Sequence, residues 1–236
     1  MQVIVLAGGK GTRLRPFTFS LPKPLVPIGE HPILDIILQQ LHRAGASEVI
    51  LSTGYLGELL EAYCGDGKKW GLSIRYAREK TPLNTAGALR LIEGLEENFL
   101  VMNGDILTSL NYQTLWADHL KSGASATAAV CERTMNVDFG VVEMDSSGTL
   151  KEYKEKPQLA YAVSMGINVL KRECCDLIKP QEALSMPDLL LRLKAVGKKI
   201  HCYRTSDAWL DIGRPADYEL AQETFEKSKS LYLPNA

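Results

Sequence analysis

Residues 2–16 read Gln2-Val3-Ile4-Val5-Leu6-Ala7-Gly8-Gly9-Lys10-Gly11-Thr12-Arg13-Leu14-Arg15-Pro16. Residues 2–6 are a short, largely apolar run rich in β-branched side chains that stops at a glycine pair, the pattern of a strand buried on both faces. Three glycines then fall within four positions. Glycine lets backbone N–H groups approach a ligand closely, so a glycine loop at a strand end followed by cations suits a polyphosphate, although a tight turn alone also uses such residues. A Walker loop would need G-x-x-x-x-G-K-[ST], and a dinucleotide fingerprint would need glycine where Leu14 stands, so neither motif fits. Residues 1–29 carry Lys10, Arg13, Arg15 and Lys23 and no acid. In a chain of net charge −1 that is a local cationic funnel, against the plainer alternative of a solvated basic face.

Working outward, the apolar positions of Ile33–Arg43 repeat at helical spacing with Gly45 behind them as a stop. Glu48–Thr53 then reads as strand, Gly57–Tyr63 as helix, Ser73–Ala77 as strand, Ala86–Leu95 as helix and Phe99–Asn103 as strand. This βαβ series predicts an α/β fold with ligands beyond the carboxyl ends of the strands. Past residue 124 the pattern turns β-rich, with runs at Ala126–Glu132, Val141–Met144, Leu150–Lys154 and Tyr161–Leu170 and a hairpin signal at Asp145-Ser146-Ser147-Gly148. Met186–Val196 and Pro215–Lys227 read as helices, the second with Pro215 in its first turn and Asp217 near the positive end of its dipole. With no linker or repeat, residues 1–236 are expected to form one domain of two halves, 1–124 and 125–228.

The bulk properties narrow the function. At 236 residues and 45% hydrophobic content the chain can bury a core that needs no metal or disulfide staple. Near-zero net charge argues against a nucleic-acid partner. Five scattered cysteines (Cys64, Cys131, Cys174, Cys175, Cys202) without a C-x-x-C pair argue against a disulfide framework or zinc site and fit a reducing cytoplasm. No leader and no apolar run near 18 residues is present, so neither export nor membrane insertion is expected. His31, His42, His119 and His201 are isolated and are assigned to structure or surface.

Pro22-Lys23-Pro24 holds a lysine where φ is restricted on both sides, which suits a fixed charge. Taken together, Leu6–Thr18 and Pro22–Leu25, followed in order by Glu79–Gly87, Asn103-Gly104-Asp105, Phe139–Val142, Glu155-Lys156-Pro157 and Trp209–Gly213, resemble the sugar-1-phosphate nucleotidyltransferases over residues 2 to about 218. The resemblance implies a Rossmann-like, mixed but mostly parallel sheet flanked by helices, of the GT-A-like kind. Only one helix and a short tail follow Asp217, so no β-helix extension and a single activity are expected.

That family joins a nucleoside triphosphate to a sugar 1-phosphate, giving a nucleotide-sugar and pyrophosphate without a covalent enzyme intermediate. The protein's task is then positioning and charge neutralisation. The resemblance implies Asp105 and Asp211 as ligands of Mg²⁺, a hard cation that takes one or two carboxylates plus phosphate oxygens and water. It implies Arg13 on the β- and γ-phosphates and Lys23 on the α-phosphate, both permanent charges. It places the nucleotide on Leu6, Ala7, Gly8, Gly9, Gly11, Thr12, Asn84, Thr85, Gly87 and Asn103, and the sugar phosphate on Gly140, Glu155, Lys156, Gly166 and Asn168.

The stretch Pro82-Leu83-Asn84-Thr85-Ala86-Gly87 looks most like mannose- and manno-heptose-1-phosphate guanylyltransferases, which carry glycine where this chain has Asn84. Asn tolerates positive φ, so the turn survives the change, but its amide can also donate to a different base. GTP is the expected donor; uridylyl and cytidylyl transfer to another sugar 1-phosphate stay open. A silent nucleotide-sugar-binding regulatory protein is the rival of another class, and it is disfavoured because Arg13, Lys23 and both aspartates are present. A homo-oligomer is compatible with this reading.

Overall fold

Strand β1 (Gln2–Ala7) lies in the middle of the sheet because its side chains are apolar toward both faces. Val3, Val5 and Ala7 face one hydrophobic cluster and Ile4 the other, each at 3% exposure or less. Val3, Ile4 and Val5 each contribute roughly 1.5–3 kcal/mol on burial, well above differences in intrinsic strand propensity. The computed structural model describes residues 1–233.

β1 is followed by the two-residue strands β2 (Pro27–Ile28) and β3 (His31–Pro32), helix α1 (Ile33–Arg43), β4 (Glu48–Thr53), α2 (Gly57–Cys64) and β5 (Ser73–Arg78). Next come α3 (Asn84–Gly87), β6 (Asn98–Asn103), β7 (Ile106–Thr108), α4 (Tyr112–Ser122), β8 (Ala126–Asn136), β9 (Val141–Met144) and β10 (Leu150–Lys154). The remaining elements are β11 (Gln158–Lys171), α5 (Met186–Ala195), β12 (Ile200–Thr205), β13 (Trp209–Asp211), α6 (Pro215–Lys227) and α7 (Lys229–Tyr232).

The main sheet has seven strands in the order β12-β8-β11-β6-β1-β4-β5, so strands from either side of residue 124 share it. Only β11 runs antiparallel to its neighbours, β6 and β8. The expected mixed, mostly parallel architecture is present. Side chains from α1, α2, α4, α6 and α7 pack on one face, and those from α3, α5 and the turns at Ala88–Leu91 and Arg172–Leu177 on the other.

One expected helix is shorter than its periodicity suggests. In place of Ala86–Leu95, the chain makes the single turn α3 and then a 3₁₀ turn over Ala88–Leu91. The amides of Ala86 and Gly87 donate to the Leu184 carbonyl (2.9 and 3.0 Å), a tertiary contact that takes both donors, and Gly94 at φ 70° turns the backbone away. Beyond the sheet, the outer half of β8 (residues 132–136) pairs with the start of β11 as an exposed arm, and β9 and β10 form a separate two-stranded ribbon, also largely exposed.

His119 on α4 is buried, with Nδ1 2.8 Å from Thr127 Oγ1 and Nε2 3.1 Å from Asn98 Oδ1. Burial pushes its pKa below the usual histidine value, so the folded state holds it neutral. Its stabilising effect is full above about pH 6.5 and is lost as pH falls through the lowered folded value. Urea titrations should therefore find His119→Gln less stable than the parent by about 1–2 kcal/mol at pH 7.5, with the gap narrowing at pH 5. A pH-independent gap would contradict the buried neutral ring.

Candidate active site

The site is assembled at the carboxyl ends of β1 and β6. Gly104 N–H donates to the Leu6 carbonyl at 2.9 Å, which ties the turn after β6 to the end of β1 and sets Asp105 beside the glycine loop. Strand β7 then pairs antiparallel with β13 so that Ile106 opposes Asp211, and Ile212 N–H donates to the Asp105 carbonyl at 3.0 Å. Two short backbone pairings thus bring together aspartates 106 positions apart.

Lys23 begins a 3₁₀ turn between Pro22 and Pro24, and its turn is closed by Val26 N–H donating to the Lys23 carbonyl at 3.1 Å. Its ammonium pairs with Asp105 Oδ2, while Asp105 Oδ1 is buried without a hydrogen-bond partner. Burial raises the pKa of Asp211, the Asp105 charge raises it further, and Lys23 and Arg13 oppose the rise. Arg13 lies in the turn Thr12–Leu14, anchored by the buried Leu14, and its guanidinium rests against Gly213, two residues beyond Asp211.

Two adjoining cavities open here. The first, of about 280 Å³, is lined by Leu6, Ala7, Gly8, Gly9, Lys23, Asn84, Thr85, Asn103 and Asp105 among the expected residues. The second, about 370 Å³, shares Leu6, Thr85 and Asn103 with the first and adds Gly166, Asn168 and Asp211. Gly166 sits at a bulge in β11 with φ 70°, and a Cβ there would fall 2.7 Å from Asn103 Nδ2, so the bend that opens this cavity requires glycine. Asn168 is 3% exposed and its Oδ1 has no partner, which leaves a buried acceptor in the wall.

Several expected residues line neither cavity. Gly11, Thr12 and Arg13 form the outer turn of the loop, and Gly87 packs against the backbone at Glu182 and Leu184. Gly140, Glu155 and Lys156 belong to the exposed region around β9 and β10, where Tyr153 Oη reaches Glu155 Oε2 at 3.1 Å and the Tyr153 ring lies against Gly140. Sequence reading left out Glu79, which lines the first cavity, and Ser164, Met186 and Pro187, which line the second. Trp209 also lines the second cavity, where its Nε1 donates to the Met165 carbonyl at 2.9 Å.

The donor chemistry suits a hard divalent cation: two carboxylates, one with a buried free oxygen, and the remaining positions left to water and phosphate. Among the described residues, no cluster of three or more His, Cys, Asp or Glu side chains offers an alternative metal cage.

Residues 2–228 match the nucleotidyl transferase family, and the chain belongs to it. It is 34% identical to the mannose-1-phosphate guanylyltransferase of Mycobacterium tuberculosis, over 92% of this chain and 62% of that protein. It is 31% identical to the D-glycero-alpha-D-manno-heptose 1-phosphate guanylyltransferase of Aneurinibacillus thermoaerophilus, over 96% and 99% of the two chains. It is 30% identical to the UTP--glucose-1-phosphate uridylyltransferase of Synechocystis, over 92% and 61%. The chain therefore spans about three fifths of the length of some of these relatives and nearly all of another. The crystal structure of HddC from Yersinia pseudotuberculosis complexed with GMP-PN superposes with a TM-score of 0.72 at 25% identity, covering 95% of this chain and 99% of that one. Among the described residues, no helix is long and apolar enough to cross a membrane.

The raised pKa of Asp211 means that ionising it costs the folded chain more than the unfolded one. In metal-free buffer, Asp211→Asn should therefore raise stability by about 0.5–2 kcal/mol. Asp105→Asn should lower it, by up to about 3 kcal/mol, because Lys23 loses its partner. Thermal melts with EDTA distinguish the two, and equal shifts would contradict the described charge arrangement.

Proposed function

We propose that the chain transfers a nucleoside monophosphate from GTP to mannose- or manno-heptose 1-phosphate, releasing pyrophosphate. The observation that carries this reading is the meeting of Lys23, Asp105 and Asp211 beside the glycine loop at the sheet's carboxyl edge. Similarity to guanylyltransferases of both sugars, one matching this chain nearly end to end, supports the choice of substrates.

In this reading the triphosphate lies along Leu6–Gly9 with its phosphates toward Lys23 and Arg13. An oxygen of the sugar phosphate attacks the α-phosphorus in line, the bond from the α-phosphorus to the bridging oxygen breaks, and pyrophosphate leaves. Lys23 neutralises charge growing on the α-phosphate and Arg13 holds the leaving end through its guanidinium fork. Asp105 and Asp211 hold Mg²⁺, which supplies charge neutralisation on the phosphate oxygens. Asn168 and Gly166 meet the sugar in the second cavity, while Glu155 and Lys156 contact the sugar and its phosphate from the exposed region around β10. The similarity to a uridylyltransferase motivates a second reading, UTP as donor to another sugar 1-phosphate.

Pyrophosphate release across GTP, UTP, CTP and dTTP against a panel of sugar 1-phosphates tests the reading. GTP with mannose or manno-heptose 1-phosphate should give the highest kcat/KM; nucleotide binding without release would favour a regulatory protein. Lys23→Ala should lower kcat by about a hundredfold or more while changing GTP affinity much less. A pure KM effect would contradict the α-phosphate role. Asn168→Ala should raise the KM for the sugar phosphate about tenfold and leave that for GTP unchanged. The reverse pattern would remove Asn168 from the sugar subsite.

A further inference from the structure

Strand β13 pairs along one edge, with β7. Ser109 N–H donates to the Ala208 carbonyl and Ile212 N–H to the Asp105 carbonyl, both at 3.0 Å, so the even-numbered residues turn their backbone groups to β7. In an antiparallel ladder the residues between them face the opposite edge. The Trp209 carbonyl therefore points away from β7, and there it accepts a hydrogen bond from the guanidinium of Arg133. The Asp211 carbonyl on that same edge is taken by Gly213 N–H at 2.9 Å.

Arg133 reaches β13 from another part of the molecule. It stands opposite Tyr161 in the exposed arm made by the outer half of β8 and the start of β11. Its guanidinium also lies over the Trp209 indole, 5.2 Å from the ring centroid. With Nε1 on the Met165 carbonyl, Trp209 is held at its backbone, its ring face and its ring nitrogen. A planar guanidinium can donate along its edge while it covers an aromatic face, which an ammonium cannot do.

We propose that Arg133 is a positioning residue for the divalent ion: by bracing the free edge of β13 from the arm, it sets the Asp211 carboxylate in the metal corner. This deepens the reading above and rests on it. Side chains two apart on a strand share a face, and Trp209 and Asp211 both line the second cavity, so a strand pinned at Trp209 presents Asp211 to that space. Arg133 itself lines neither cavity, so its effect passes through Asp211. The like charge of Asp105 tends to separate the two carboxylates, and a three-residue strand laddered on one side needs a brace against it.

Electron paramagnetic resonance of Mn²⁺ titrated in with a non-hydrolysable GTP analogue tests the assignment on the parent, Arg133→Met, Arg133→Lys, Asp211→Asn and the Arg133→Met, Asp211→Asn double variant. Removing a nearby cation tightens the binding of a divalent ion by charge alone, whereas losing the position of a ligand weakens it. Arg133→Met should weaken Mn²⁺ about fivefold and lower kcat about tenfold, with the KM for GTP at saturating Mg²⁺ within about twofold and the melting temperature within about 2 °C of the parent. Arg133→Lys, which keeps the charge but loses the combined contact, should behave much as Arg133→Met. In the Asp211→Asn background the Arg133→Met change should add less than about twofold. Mn²⁺ binding that is unchanged or tighter in Arg133→Met, full rescue by lysine, or a full further loss on top of Asp211→Asn would each overturn the proposal. A parent that binds Mn²⁺ with the analogue yet releases no pyrophosphate from any triphosphate would overturn the transferase reading alone, and the binding cycle would still decide the role of Arg133.

Discussion

The site depends on the placing of two carboxylates in one partly desolvated corner by backbone pairing. The ladder between β7 and β13, continued by Ile212 N–H on the Asp105 carbonyl, fixes Asp211 against Asp105 regardless of their mutual repulsion. Backbone hydrogen bonds and the buried Ile106, Leu107 and Ile212 supply the compensation. The elevated pKa of Asp211 is the mark of that conflict, since burial and a like charge both oppose its ionisation. Strain of this kind concentrates where a ligand of opposite charge relieves it.

The cations are arranged to moderate the conflict without abolishing it. Lys23 is held by prolines on both sides and pairs with one oxygen of Asp105, leaving the other buried and free. Arg13 reaches the same corner from the outer turn of the loop. The corner is thus near electroneutral as it stands, and a polyphosphate arriving with a divalent ion adds opposite charges together. The loop, β6 and β13 each bring one part of this arrangement, so its geometry follows from the sheet rather than from any single motif.

Elements whose period or punctuation is local were legible in the sequence. The apolar run of β1, the heptad-like face of α1 and the turn Asp145–Gly148 are read from contiguous residues and match the structure. The truncated helix at residue 86 was not legible: its first-turn amides bond to the Leu184 carbonyl about a hundred positions away, a contact that no local pattern announces. Nor were β7 and β13, three residues each and defined only by pairing with one another. Helix α4 did carry a signal, Asn111 capping Thr114 N–H and Gly123 closing the end, but its apolar face is weakly periodic. Among the site residues, those in the glycine loop and after β6 followed from motif and strand end. Glu79 stood at the head of the Glu79–Gly87 stretch but had no role assigned, because its hydrogen bonds to Ser52 and Leu83, which turn it into the cavity wall, are not visible in a linear pattern.

The central claim is that Asp105 and Asp211 together hold a divalent ion against a bound triphosphate. Electron paramagnetic resonance of Mn²⁺ titrated into the protein with a non-hydrolysable GTP analogue measures this directly. The account predicts one tight Mn²⁺ per chain in the presence of the analogue, weakened at least tenfold in both Asp105→Asn and Asp211→Asn. Tight binding that survives either substitution unchanged would contradict it.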